Sequence, residues 1–283
     1  MVSAWVVSDT THASKSRGVS TLDYVLVALS GFAAGMINAL AGGGTLVSFP
    51  ALVALGVPAV SANVTNTIAL VPGYLGGAYA QRRDLVSYVT RLRSLVIFAA
   101  AGGLLGSILL VNSSDDLFSG LVPILILIAC ALLGFQDLIR KQLVKRRAKI
   151  VNVGADASAV DGGDEKPTST VILCLLVGPA AIYGGYFGAG LGIMLLAVLG
   201  IALDDPLPRI NSLKSALSLV INLVAAAFLA FSDFVVWDIV AVMAVASVVG
   251  GITGGRIAGK LNPKLLRIVV IAFGIAAAVK FLL

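Results

Sequence analysis

Long apolar runs separated by short polar breaks dominate the chain. They fall at 22–40, 44–56, 60–80, 94–111 and 118–139. After a polar stretch at 140–169 they resume at 170–187, 190–203, 210–231, 237–257 and 265–282. A helix needs ~20 apolar residues, rising ~1.5 Å each, to cross ~30 Å of hydrocarbon. Most of the runs meet that length. Those at 44–56 and 190–203 do not, and each follows a glycine cluster. The clusters are Gly42-Gly43-Gly44 in one case, and Gly184-Gly185 with Gly188-Ala189-Gly190 in the other. Glycine is unfavourable inside a helix and tolerates left-handed backbone. The pattern predicts a broken helical hairpin at the start of each half, with a short arm that spans or re-enters.

The halves also resemble each other in order. At an offset of about 146, Ala41 to Gly44 (AGGG) lies over Phe187 to Gly190 (FGAG). At about 148, Gly102, Gly103 and Gly106 lie over Gly250, Gly251 and Gly254, and Asn63 to Thr67 (NVTNT) over Asn211 to Ser215 (NSLKS). Asp84 lies over Asp233. This is the trace of an internal duplication.

Composition sets the solvent. The chain of 283 residues is 59% apolar and 12% charged, with a mean hydropathy of +1.03. Soluble domains are ~45–50% apolar and ~25% charged. A soluble enzyme and a disordered chain are both disfavoured. The fold class expected is an all-α polytopic membrane protein of two inverted repeats, each a broken hairpin plus three transmembrane helices. Its divisions are a polar tail at 1–21, a first repeat at 22–139, a cytoplasmic linker at 140–169 and a second repeat at 170–283.

Charge gives the orientation. If each hairpin counts as out and back, each half makes five passes. The loops 81–93, 140–169, 204–209 and 256–264 then share one side. With Arg267, that side holds all but Lys15, Arg17, Lys214 and Lys280 of the 20 Lys and Arg residues. The opposite loops carry Asp115, Asp116, Asp233 and Asp238. Cationic loops stay in the cytoplasm, so both termini lie outside, and the odd number of passes inverts the second repeat. Counting each hairpin as one pass would put Arg256, Lys260 and Lys264 outside, against that rule. The same logic reads the net charge of +6 as a topology signal rather than a nucleic-acid surface. It accounts equally for Arg82, Arg83, Arg91 and Arg93, and for the basic run from Arg140 to Lys149.

Enzyme signatures are sparse. A single His, His12, and two cysteines, Cys130 and Cys174, leave no metal cluster. Gly254 to Lys260 (GGRIAGK) has phosphate-loop spacing, but Leu261 stands where a Ser or Thr would bind Mg²⁺. No cofactor is called for. Polar residues inside apolar helices carry the functional signal, because each must find a partner in lipid. Lys214 is the sharpest. It shares a helix face with Ser218 and Asn222 at i, i+4 and i+8, and it suits either an anion site or a snorkel toward the cytoplasmic interface. Asn63, Thr65, Asn66, Thr67 and Tyr74 match it in the first half, and Asn38 precedes the first glycine cluster. The interrupted helices add N-terminal N–H groups, whose dipole favours an anion. Gly42 to Thr45 and Gly188 to Gly192 can each supply such an end. By contrast, Gly31/Gly35, Gly102/Gly106, Gly250/Gly254 and Gly251/Gly255 are small-xxx-small pairs that suit close helix packing. Tyr183 and Tyr186 fit either lining or packing.

These residues resemble a known family. Gly31 to Gly35 (GFAAG), Ala41 to Gly44, Pro50 and Gly56 to Pro58 (GVP) are similar to the signature of the TauE/SafE sulfite exporter family. So are Asn63 to Thr67, Tyr79, Arg82 to Asp84 (RRD), Asn211 to Ser215 and Asn222. The resemblance covers about 22 to 282; the second glycine cluster departs from the first at Ala189 and Leu191. It implies a permease of the cytoplasmic membrane, in a family associated with export of sulfite and organosulfonates. The site expected is an anion held near the midplane by Asn38, Gly43, Gly44, Thr45, Thr65, Asn66, Asn211, Ser212 and Lys214. The partners implied are the small anion and the lipid bilayer, with no nucleic acid; a homo-oligomer stays open. A passive anion channel, or a permease for another small solute, would share the same lining.

Overall fold

The computed structural model describes residues 20–40, 43–80, 89–157, 170–203, 205, 207–257 and 263–282. The N-terminal tail to residue 19, Ala41-Gly42, the loop with Arg82 and Arg83, the acidic end of the 140–169 stretch, and Lys260-Leu261 lie outside them. The described residues form helices α1 (Thr21–Leu40), α2 (Thr45–Ala54), α3 (Ala59–Ala80), α4 (Val89–Val111), α5 (Asp115–Ala157), α6 (Thr170–Tyr186), α7 (Leu191–Ala202), α8 (Leu207–Leu229), α9 (Trp237–Ile257) and α10 (Pro263–Leu282). Each expected segment has its helix. Stretches of α1, α5, α8, α9 and α10 are long and apolar enough to cross a membrane. With 10 and 12 residues, α2 and α7 reach only ~15 and ~18 Å, about half the hydrocarbon.

Local signals set the ends. Ser20 and Asp23 form a reciprocal capping box at the start of α1, with Ser20 N–H on Asp23 Oδ2 at 2.8 Å and Asp23 N–H on Ser20 Oγ at 3.2 Å. Ser114 Oγ accepts from Leu117 N–H at 3.2 Å to open α5. Asp115 Oδ1 accepts from Val60 N–H at 3.0 Å, so one carboxylate ties the first turn of α5 to that of α3. One boundary differs from the expected linker: α5 does not stop near 139 but continues to Ala157. From Phe135 to Val153 the sequence has neither Gly nor Pro and is rich in Lys, Arg and Gln, which favour helix.

The helices pack in matched pairs. The first helix of each half lies on the fourth helix of the other, α1 on α9 and α6 on α4. Likewise α3 lies on α9 and α8 on α4, while α2 meets α10 and α7 meets α5. In the middle α3 meets α8, and α5 meets α10. Exchanging the halves reproduces this set of contacts.

Small residues make the α1–α9 and α4–α6 seams. A Cβ on Gly31 would come within 2.9 Å of the Met243 carbonyl oxygen, and one on Gly254 within 2.9 Å of Met36 Cα. Cβ atoms on Gly35 and Gly250 would overlap the carbonyls of Ser247 and Phe32. Gly102 meets Ala181, while Gly106 and Gly185 meet backbone of α6 and α4. Three of the four small-residue pairs are therefore packing pairs. In the fourth, Gly251 makes only ordinary contact, 3.8 Å from the Gly35 carbonyl, and the side of Gly255 is not described. Outward faces carry Ile97, Leu105, Leu109, Ile124, Ile252, Leu265, Ile268 and Val269. Such a surface suits lipid, not water.

Candidate functional site

The polar residues predicted to mark the site are inside the bundle. Ser48, Asn63, Thr65, Asn66, Ser212, Ser218 and Asn222 are all buried. Most belong to α3 and α8, which meet at the centre.

The first hairpin turns at Gly43, whose φ of +92° is a left-handed geometry that glycine tolerates. Gly44 then opens α2 so close to α1 that a Cβ would overlap the Ala34 carbonyl. Asn38 Oδ1 accepts from Gly44 N–H at 2.8 Å. Ser48 Oγ donates to Asn66 Oδ1. Thr65 Oγ1 accepts from Val236 N–H at 3.1 Å, which ties the approach to α9 onto α3. Of the first-half candidates, Asn38 and Gly44 meet directly, and Asn66 joins them through Ser48. Thr65 serves the neighbouring loop, and Thr45 is buried beside Gly44.

The second hairpin turns through Phe187 to Gly190, with positive φ at Gly188 (+77°) and Gly190 (+74°). Gly190 caps α7 with no side-chain hydrogen bond. Tyr183 Oη donates to the Ala189 carbonyl at 2.7 Å, and Asn63 Nδ2 donates to the Tyr186 carbonyl at 2.8 Å. A Cβ on Gly188 would stand 3.9 Å from Asn222 Oδ1, and one on Gly192 4.0 Å from Lys214 Cδ. So α8 runs past the break with Lys214 at Gly192 and Asn222 at Gly188. Ser212 turns onto its own helix, donating to the Arg209 carbonyl at 2.8 Å. Asn211 is half-buried and has no side-chain bond among the described residues. Lys214 and Asn66 each lie about 10 Å along their helices, from Leu207 and from Ala59.

The two breaks converge. Gly43 lies 4.0 Å from Leu133, and Gly190 3.4 Å from Ala129 Cα, one turn apart on α5, each measured from where a Cβ would stand. Phe49 of α2 packs edge-on against Phe187, with ring centroids 5.4 Å apart. Asn63 and Ser48, which hold the breaks in place, are not among the residues expected to hold the anion. Asn63 was visible as part of the polar run; Ser48 carried no signal, because its partner is 18 positions away.

A polytopic helical bundle with a buried polar midline and two interrupted hairpins belongs to the class of multi-pass membrane transporters. The family model described as "Sulfite exporter TauE/SafE" matches residues 27–281, and the chain belongs to that family. It is 26% identical over 253 residues to a "Probable membrane transporter protein" of Haemophilus influenzae, covering 87% of this chain and 90% of that one. It is 25% identical over 264 residues to "Probable membrane transporter protein ORF9" of a Sinorhizobium species, covering 90% of each. With "Probable membrane transporter protein YfcA" of Escherichia coli K12 it shares 23% over 250 residues, covering 88% and 86%. No solved structure matches the chain.

Proposed function

We propose that this transporter is a secondary permease for small anions that exports sulfite or organosulfonates across the cytoplasmic membrane. One observation carries the reading: both short helices start inside the protein, at buried glycines, with Asn66 beside one start and Lys214 beside the other. A helix N-terminus in a low-dielectric interior favours negative charge. The family's name supports the sulfur oxyanion class.

The substrate would sit between the halves, near Asn38, Gly43, Gly44, Thr45, Thr65, Asn66, Asn211, Ser212 and Lys214. Asn38, Thr65 and Ser212 already hold backbone groups, so they would shape the site rather than touch the anion. The matched packing of the halves supports an inverted repeat, and rocking of one repeat against the other would give alternating access. Flux into proteoliposomes tests the function. Wild type and Lys214→Ala are compared with sulfite, sulfoacetate, taurine and chloride at fixed potential. Saturable organosulfur or sulfite flux that collapses in the variant is expected. Non-saturating flux of every anion would mean a channel, and no flux would remove the anion class.

A further inference from the structure

The two helix starts are not equivalent. At α2, the Gly44 N–H is taken by Asn38 Oδ1, the Leu46, Val47 and Ser48 N–H groups bond back to Gly43 and Gly44, and Ser48 Oγ is occupied by Asn66, so that Thr45 N–H is left without a partner among the described residues. At α7, Leu191, Ile193 and Met194 N–H bond back to Gly188 and Gly190. The N–H groups of Ala189, Gly190 and Gly192 have no partner among the described residues. Ser218 lies on α8, which packs on α7. It is 4% exposed, and its Oγ is buried without a hydrogen-bond partner. Of the other buried helix serines, Ser30, Ser107, Ser212 and Ser247 turn their hydroxyls onto a carbonyl three residues back and Ser48 onto one four back, the ordinary solutions inside a helix. Ser218 does not. It lies between Lys214, at Gly192, and Asn222, at Gly188, so its hydroxyl faces the turn from Ala189 to Leu191. The neighbouring carbonyls are already engaged: Asn222 Nδ2 donates to Ser218 O at 2.8 Å, and Tyr183 Oη to Ala189 O at 2.7 Å.

We infer that the oxyanion head group of the substrate is held at the start of α7, by the N–H groups of Ala189, Gly190 and Gly192 and the hydroxyl of Ser218, with the Lys214 charge in reach. This rests on the anion-permease reading and assigns its charge-binding end to the second half. Every open N–H there donates to an oxygen, and among the described residues no carboxylate is placed at the turn. An unpaired buried hydroxyl is costly without a ligand, and a bound oxyanion removes that cost with a charge-assisted bond. The α2 start, where Asn38 takes the Gly44 N–H, shapes the hairpin instead.

The test is stabilisation of the purified protein by sulfite, read as the rise in unfolding temperature, with flux measured alongside. Ser218→Ala is expected to raise the sulfite concentration for half-maximal stabilisation about ten-fold, equal to ~1.4 kcal/mol. Its unfolding temperature without sulfite should match or exceed wild type, because an unpaired hydroxyl is removed. Ser218→Thr, which keeps the hydroxyl, restores sulfite binding, and Ser107→Ala leaves it unchanged. Wild-type binding in Ser218→Ala, or a larger loss in Thr45→Val than in Ser218→Ala, overturns the assignment while leaving the permease intact. Failure of wild type to bind or carry sulfite, sulfoacetate or chloride overturns both.

Discussion

Glycines of the same type do opposite work in this chain. Gly35 stands where a Cβ would overlap the Ser247 carbonyl, whereas Gly120 in α5 has nothing within 4 Å. Gly35→Ala must therefore push α1 from α9, at a cost of ~1–3 kcal/mol. Gly120→Ala adds a better helix former at an open position and should gain ~0.5–1 kcal/mol. Unfolding in mixed micelles, titrated with denaturing detergent, measures both. Equal effects of the same sign would contradict the assigned packing. The small-residue spacing flagged Gly35 in the sequence. Nothing in the sequence distinguished Asn63 and Ser48 as holders of the breaks, since their partners Tyr186 and Asn66 are set only by helix contacts.

Among the elements, α5 and α10 are joined by a pair that the sequence order hides. Arg267 Nη1 lies 2.8 Å from Asp137 Oδ2 and Nη2 3.1 Å from Oδ1, a two-pronged contact. Only 11% of the Arg267 side chain is exposed. From the sequence, Arg267 reads as one more cytoplasmic charge; in the fold it bridges the last helices of the two halves. Gln136 Oε1 and Arg267 Nε lie buried without a hydrogen-bond partner among the described residues. Removing one partner strands the other charge, so Asp137→Ala is expected to cost ~3–5 kcal/mol. Exchanging the two residues should return part of that. A double-mutant cycle on unfolding stability checks it; additive losses would mean that the pair contributes nothing jointly.

For the whole molecule, packing and charge pattern agree on which ends lie together. Asp115 ties the starts of α3 and α5, and the Arg267–Asp137 pair joins the start of α10 to α5 near the point where its basic extension begins. The cationic side read from the sequence is the side to which α5 carries its basic extension. Ser114→Cys should accordingly react with an impermeant thiol reagent on intact cells, and Lys145→Cys only after the membrane is opened. A Cys130→Ala, Cys174→Ala background removes the native thiols. The reverse pattern would invert the orientation.

How much of this was legible along the chain follows from the range of each interaction. Apolar runs of bilayer length, glycine clusters before short runs and the lopsided charge are local properties, and they specified the membrane class, every helix and both hairpins. They also marked α3 and α8 as the polar helices. The extension of α5 past 139 leaves no trace in the apolar pattern, although the sequence runs from Phe135 to Val153 without a Gly or Pro. Tertiary structure alone decided that the first helix of each half packs on the fourth helix of the other, and that both breaks meet on α5 at Ala129 and Leu133. It alone separated an α2 start whose Gly44 N–H is taken by Asn38 from an α7 start with three N–H groups left without partners among the described residues. The physical reason is that a hydrogen-bonding group in lipid is defined by the partner it reaches, and that partner is chosen by packing between distant segments.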